Sequence, residues 1–282
     1  MKFNNKTSEV FVPDNTPIDL ALARTTHLAI GAHPGDIEIM SAGPILERFN
    51  DPNLWFSGVI LSNGAGSPRS GTYQNYGDDK ICMVRRLEQK KAAIIGHFSA
   101  HVMLDYPSNL IKDPAQNAVI EDISRILVST KPSFVFTHNL ADKHDTHVSS
   151  ALRVIAAIRG LPADQRPKKL YGCEVWRDLD WMVESDKVIS DLSQQEGLQL
   201  ALLEVHDSQI NGGKRYDLGV IGRRRAHATF AESHDVDISR GQSFEMDLTP
   251  LIEDDTIEIE EFVQKIIDHF SLDVKSRLLR YE

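Results

Sequence analysis

The run Thr26-His27-Leu28-Ala29-Ile30-Gly31, followed at once by Ala32-His33-Pro34-Gly35-Asp36-Ile37-Glu38, decides how this chain folds. Its first half is a short apolar stretch between polar and glycine boundaries, which predicts a buried strand. Pro34 and Gly35 interrupt it, and Asp36 stands where a helix would open. A His and an Asp three residues apart at such a junction can both point into one crevice, where open α/β sheets place their ligands. A second segment has the same grammar. Ser133-Phe134-Val135-Phe136-Thr137 reads as strand, and Asp142-Lys143-His144-Asp145-Thr146-His147 follows it. Both His and Asp are ligands for a divalent cation when groups from separate segments meet.

Working outward, strands and helices alternate through the first two-thirds. Strands are predicted over 28–31, 56–61, 102–104, 134–136 and 170–176, with helices over 41–49, 78–96, 118–129 and 145–158. This rhythm predicts an α/β fold, a Rossmann-like three-layer sandwich with a mostly parallel sheet. From Asp178 the rhythm weakens. Helical patterns over 198–206, 218–230 and 259–270 and a late strand over 244–248 read as an elaboration of the same unit. The expectation is one domain over 1–282, with its core about 25–180 and a C-terminal elaboration about 181–282.

Composition narrows the class of function. The 282 residues carry a formal net charge of −10 with no long basic run, which argues against nucleic acid. Cys82 and Cys173 are too few for a disulfide framework, and the polar start Met1-Lys2-Phe3-Asn4-Asn5-Lys6 offers no signal-peptide core. No apolar stretch reaches membrane-spanning length. A cytoplasmic protein acting on a small-molecule or glycan substrate is expected, and a homo-oligomer is compatible with this.

Several side chains qualify as site residues. His33 and Asp36 from the first segment and His144 and His147 from the second form a candidate metal cluster, with Asp142 and Asp145 beside it. His144 and His147 share a face if the helix has begun there. Arg85 lies on a charged helix where a solvated face is the plainer reading. Trp176 is one of two Trp in a charged stretch, able to stack on a sugar or simply to pack a sheet edge. His206 closes a helix before the polar, glycine-rich loop 208–216, and Asn63-Gly64-Ala65-Gly66-Ser67 reads as a rim of the site, since it lacks the residues of a P-loop.

In these residues the chain resembles the PIG-L / LmbE-like zinc-dependent N-acetylglucosaminyl deacetylases. The signatures of that family are Ala-His-Pro-Asp-Asp-x-Glu near the first strand and a later His-x-x-His. The resemblance implies a Rossmann-like fold and removal of an N-acetyl group from an amino sugar or glycoconjugate. It puts His33, Asp36 and His147 on the ligand positions of Zn²⁺ or another divalent metal. His144 falls on the imidazole that stabilises the oxyanion or protonates the leaving amine, with Asp142 as its orienting carboxylate. Arg85 becomes a sugar contact, and His206 and Trp176 become substrate neighbours. A shifted register, matching Asp145-x-His147, would put Ser150 at a ligand position, and serine is a poor zinc ligand.

Gly35 departs from the pattern. The family has an Asp there, the general base for the metal-bound water, and glycine has no side chain to do this. Losing such a base costs roughly 10²- to 10⁴-fold, while a bound zinc already lowers the pKa of its water toward 7 to 9. Asp145 or Asp142 could substitute, the protein could be a metal- and sugar-binding pseudo-enzyme, or position 35 could carry an inactivating substitution. A nucleotide-binding Rossmann protein without metal stays open as an alternative.

Overall fold

A computed structural model describes residues 1–282. Eight strands form one sheet: β1 (Glu9–Phe11), β2 (His27–Gly31), β3 (Phe56–Ser62), β4 (Ala100–Tyr106), β5 (Phe134–His138), β6 (Lys169–Cys173), β7 (Lys187–Asp191) and β8 (Gln242–Asp247). Their spatial order is β1-β4-β3-β2-β5-β6-β8-β7. The stretch from β4 to β6 is parallel throughout. β1 joins β4, and β8 joins both β6 and β7, in antiparallel fashion. Counted among themselves in chain order, the parallel strands run 3-2-1-4-5, the Rossmann order. Strand order reverses between β2 and β5, and that switch point is where the two sequence segments end.

The apolar runs explain the burial. Every residue of β2 and β3 is buried, as central parallel strands require when helices cover both faces. Leu28, Ile30, Val59 and Leu61 face one side, packing with Ile123, Ile126, Val154 and Ile158 of the helices Asn117–Thr130 and Asp145–Arg159. Ala29 and Ile60 face the other, with Ile37, Phe98, Leu202 and Val220. Successive residues thus serve opposite layers, the period-2 consequence of strand geometry.

The structure differs from the sequence expectation in places with physical causes. β1 and β7 are half-buried edge strands whose short, mixed sequences carry no apolar run. The helix expected over 41–49 begins five residues earlier, at Asp36, and is broken at Ser41, whose φ of −122° leaves the helical region. The last helix continues to Tyr281 instead of ending at Phe270. Arg224, in the cationic run Arg223-Arg224-Arg225, is buried and donates to the carbonyls of Glu38 and Ile39. No helix is long and apolar enough to cross a membrane.

Candidate metal centre

β2 ends at Gly31, and the loop that follows turns through Gly35 into the helix opened by Asp36. The Asp36 carboxylate folds back over its own turn, Oδ2 accepting the His33 backbone N–H at 2.7 Å. β5 ends at His138. The next loop is held by its own side chains, Asn139 accepting from the Ala141 N–H at 3.0 Å and Asp142 from the His144 N–H at 2.9 Å. His144 is the extended residue capping the helix Asp145–Arg159, and His147 lies in that helix's first turn.

These two loops bring three donor atoms together. His33 Nδ1 is 3.1 Å from His147 Nε2 and 3.3 Å from Asp36 Oδ2, and His147 Nε2 is 3.3 Å from Asp36 Oδ2. Ligand atoms on a tetrahedron with bonds of about 2.0–2.1 Å lie about 3.3–3.4 Å apart, so the triangle matches one face of a zinc-type site. Asp142 supports it from behind: Oδ2 lies 3.3 Å from His147 Nδ1 and accepts the Trp176 N–H at 3.1 Å. A carboxylate on the far nitrogen of a ligand imidazole fixes its orientation.

Burial would normally raise the Asp36 pKa, but the His147, His138 and His33 imidazoles around it hold the carboxylate well below its usual range. Burial opposes charge on His147 as well. Asp36 and Asp142 outweigh it and lift its pKa to about 9. Without metal, His147 is therefore protonated at neutral pH, and a cation must displace that proton. Metal affinity is expected to rise about tenfold per pH unit up to about pH 9 and then level off. Calorimetry in buffers of different ionisation enthalpy checks this, with about one proton released per metal bound at pH 7.

His138 belongs to the same cluster and escaped the sequence reading. Its Nε2 is 3.3 Å from Asp36 Oδ2, and its ring stacks on His147 at 3.9 Å. Nε2 accepts the Ala32 N–H at 2.9 Å, which occupies the lone pair a metal would need. Burial pushes its pKa down to about 4, so it stays neutral as a wall behind Asp36. The available signal was a His at the end of an apolar strand run, adjacent to the switch point.

The remaining predicted residues separate into two groups. His144 and Trp176 line a cavity of about 240 Å³ together with His33, Asp36, Lys214 and Tyr216. The His144 ring lies 4.6 Å from His147 and 4.9 Å from His33, its Nδ1 has no partner, and burial and those imidazoles lower its pKa. Trp176 stands 6.0 Å from His144, with the Lys214 ammonium 4.8 Å from its ring. Gly66, Ser67 and Pro68 form part of the rim, as the loop's position suggested.

The others do not reach the cavity. Asp142 bonds the His144 backbone and the His147 ring, so it does not orient the His144 imidazole as expected. Asp145 is exposed at the helix start and does not line the cavity, because the capping turn directs position 145 outward. Arg85 is neither a solvated face nor a cavity contact. It is fully buried, donating to the Gly64 carbonyl and, at 3.4 Å, to Ser208 Oγ, so it ties two loops together. His206 is buried against Glu38, Nε2 to Oε2 3.1 Å, beneath the first loop.

The same packing accounts for Gly35. Its φ of +94° is one that L side chains rarely adopt, and an added Cβ would lie 3.0 Å from Gln209 Nε2 and 3.6 Å from His206 Cγ. Gln209 is anchored there by donating to the Pro34 carbonyl at 2.6 Å. Asp36 is the only carboxylate lining the cavity.

Residues 28–158, which contain both loops, match the family model for GlcNAc-PI de-N-acetylase, PIG-L. Over these residues the chain is similar to the PIG-L family. The chain is also 27% identical over 210 residues to the uncharacterized deacetylase YaiS of Escherichia coli, covering 70% of this chain and 98% of that one. Among solved structures, it is similar to the N,N'-diacetylchitobiose deacetylase from Pyrococcus horikoshii, with a TM-score of 0.63 at 17% identity, covering 84% of this chain and 88% of that one. It is also similar to the 4-carboxy-2-hydroxymuconate hydratase GalB from Pseudomonas putida, with a TM-score of 0.58 at 16% identity and coverage of 79% and 96%. Proteins named for different activities share this fold, so the fold by itself does not assign the chemistry.

Proposed function

We propose that this protein is a metal-dependent hydrolase that removes an N-acetyl group from an amino sugar or glycoconjugate. The observation that carries this reading is the triangle of His33, Asp36 and His147 donor atoms at the floor of a cavity whose wall holds an unpaired imidazole. Those three residues would hold Zn²⁺ or another divalent cation. Such a cation polarises an amide carbonyl and lowers the pKa of water.

His144 handles the protons. Of the titratable groups lining the cavity, His33 and Asp36 are engaged with each other, and the Tyr216 hydroxyl is pushed up to about 12, chiefly by burial. His144, its pKa below the ordinary imidazole value, is neutral at pH 7 and free to accept a proton from the attacking water and deliver it to the leaving amine. Trp176 offers a ring face to a sugar, with Lys214 and Tyr216 beside it.

Gly35 favours a second reading, a metal- and sugar-binding relative with little or no turnover. Acetate release from N-acetylglucosamine derivatives by protein of measured metal content tests both. The hydrolase reading expects acetate from the native chain. Turnover confined to a Gly35→Asp variant would establish the second reading instead, and a metal-free protein with nucleotide affinity would remove both. Because of its left-handed backbone and the Gln209 contact, Gly35→Asp is expected to be destabilised by about 1–3 kcal/mol, read as a lowered midpoint in thermal unfolding.

A further inference from the structure

His33 to Asp36 form one tight turn, in which the Asp36 N–H donates to the His33 carbonyl at 3.1 Å across Pro34 and Gly35. Gly35 has φ +94° and ψ −19°, close to the third residue of a type II turn. Types I and II differ by a flip of the central peptide, here the one joining Pro34 to Gly35. Glycine adopts either sign of φ, so it does not by itself choose between them.

Two buried glutamines make the choice. The Gly35 N–H donates to Gln89 Oε1 at 3.1 Å, and Gln209 Nε2 donates to the Pro34 carbonyl at 2.6 Å. These are the two polar groups of a single peptide, aimed in opposite directions, and neither has a backbone partner. Gln89 comes from the helix Asp78–Ile95 and Gln209 from the short helix Asp207–Ile210. The Gln89 amide is itself fixed, because its Nε2 donates to Glu38 Oε1 at 2.7 Å, and Glu38 Oε2 lies 3.1 Å from His206 Nε2. A flipped peptide would aim the Pro34 carbonyl at the Gln89 oxygen.

We infer that Gln89 and Gln209 are positioning residues that lock this turn in its type II form and so set the spacing of His33 and Asp36. The inference rests on the metal centre proposed above and extends it to two side chains that are not ligands. Gln209 lies outside residues 28–158, so the C-terminal part of the chain helps to shape the centre.

Zn²⁺ affinity of the full chain, measured by chelator competition below the thermal midpoint, tests this. Gln89→Met and Gln209→Met keep the length of the side chain and lose its polar groups. Each is expected to weaken Zn²⁺ binding about 10- to 100-fold. Glutamines that only fill space would lower the thermal midpoint and leave the affinity native, which overturns the inference. Amide exchange on the metal-free protein reads the turn separately. The Gly35 N–H is expected to exchange slowly in the native chain and at least about tenfold faster in Gln89→Met, with the β2 and β3 amides unchanged. A Gly35 amide that exchanges freely in the native chain, or no faster in the variant, also overturns the inference. A native chain that binds no Zn²⁺ overturns the centre itself, a failure the exchange measurement distinguishes from loss of the turn.

Discussion

A His147→Gln variant is expected to purify without its metal and to lose at least about 10³-fold in acetate release. His147 supplies one corner of the ligand triangle and is the residue that links the two loops, its Nε2 facing His33 and Asp36 and its Nδ1 facing Asp142. A glutamine retains a donor toward one carboxylate but not two opposed nitrogens on a rigid ring. The polarisation a bound cation contributes is several kcal/mol, and each 1.36 kcal/mol corresponds to about tenfold in rate. Elemental analysis of the purified variant reads the metal directly, separately from turnover. Full metal occupancy in the variant would show that His33 and Asp36 hold the cation with some other partner, and the proposed centre would be wrong. Loss of the imidazolium also leaves two buried carboxylates unneutralised in the metal-free state, so a lowered thermal midpoint is expected alongside.

Removing the neighbouring imidazole should give the opposite pattern. His144→Ala is expected to retain its metal and fold while kcat falls about 10²- to 10⁴-fold with KM little changed. His144 makes no side-chain hydrogen bond through Nδ1, and its backbone, not its ring, is what Asp142 holds. Stability therefore depends little on it. The pH profile adds a readout that a structural role would not move. Burial and the nearby His33 and His147 lower the His144 pKa, so the neutral ring prevails at pH 7 and is lost on acidification. Native activity should fall through an acid limb below the ordinary imidazole range, and the variant should lack that limb. A His144→Ala variant with native kcat would assign the proton transfers elsewhere.

Much of the scaffold was legible because its signals are local. The apolar runs at 28–31, 56–61 and 134–136 can be buried on both faces only as central strands, and the three central parallel strands occur where those runs lie. The candidate ligands were legible for the same reason, since strand ends at a switch point are set by chain order. Edge strands β1 and β7 were missed because half-burial leaves no clean pattern. The charged helix predicts a solvated Arg85, yet it is a buried donor to a loop carbonyl, and Arg224 is likewise a buried donor to helix carbonyls. Spacing on a helix says which residues share a face, not what another segment places against that face.

From the sequence pattern came the sheet class, the place of the crevice and a cluster of candidate His and Asp groups beside it, all of them consequences of short-range pattern, while the choice of His33, Asp36 and His147 among them came from the family resemblance. Only the tertiary structure decided which carboxylate supports which imidazole, that His138 backs Asp36, and that Asp145, Arg85 and His206 stay out of the cavity. It also decided that Gln209 and His206 close the space beside Gly35. These outcomes turn on distances of a few ångströms between side chains far apart in the chain, and no local pattern encodes them.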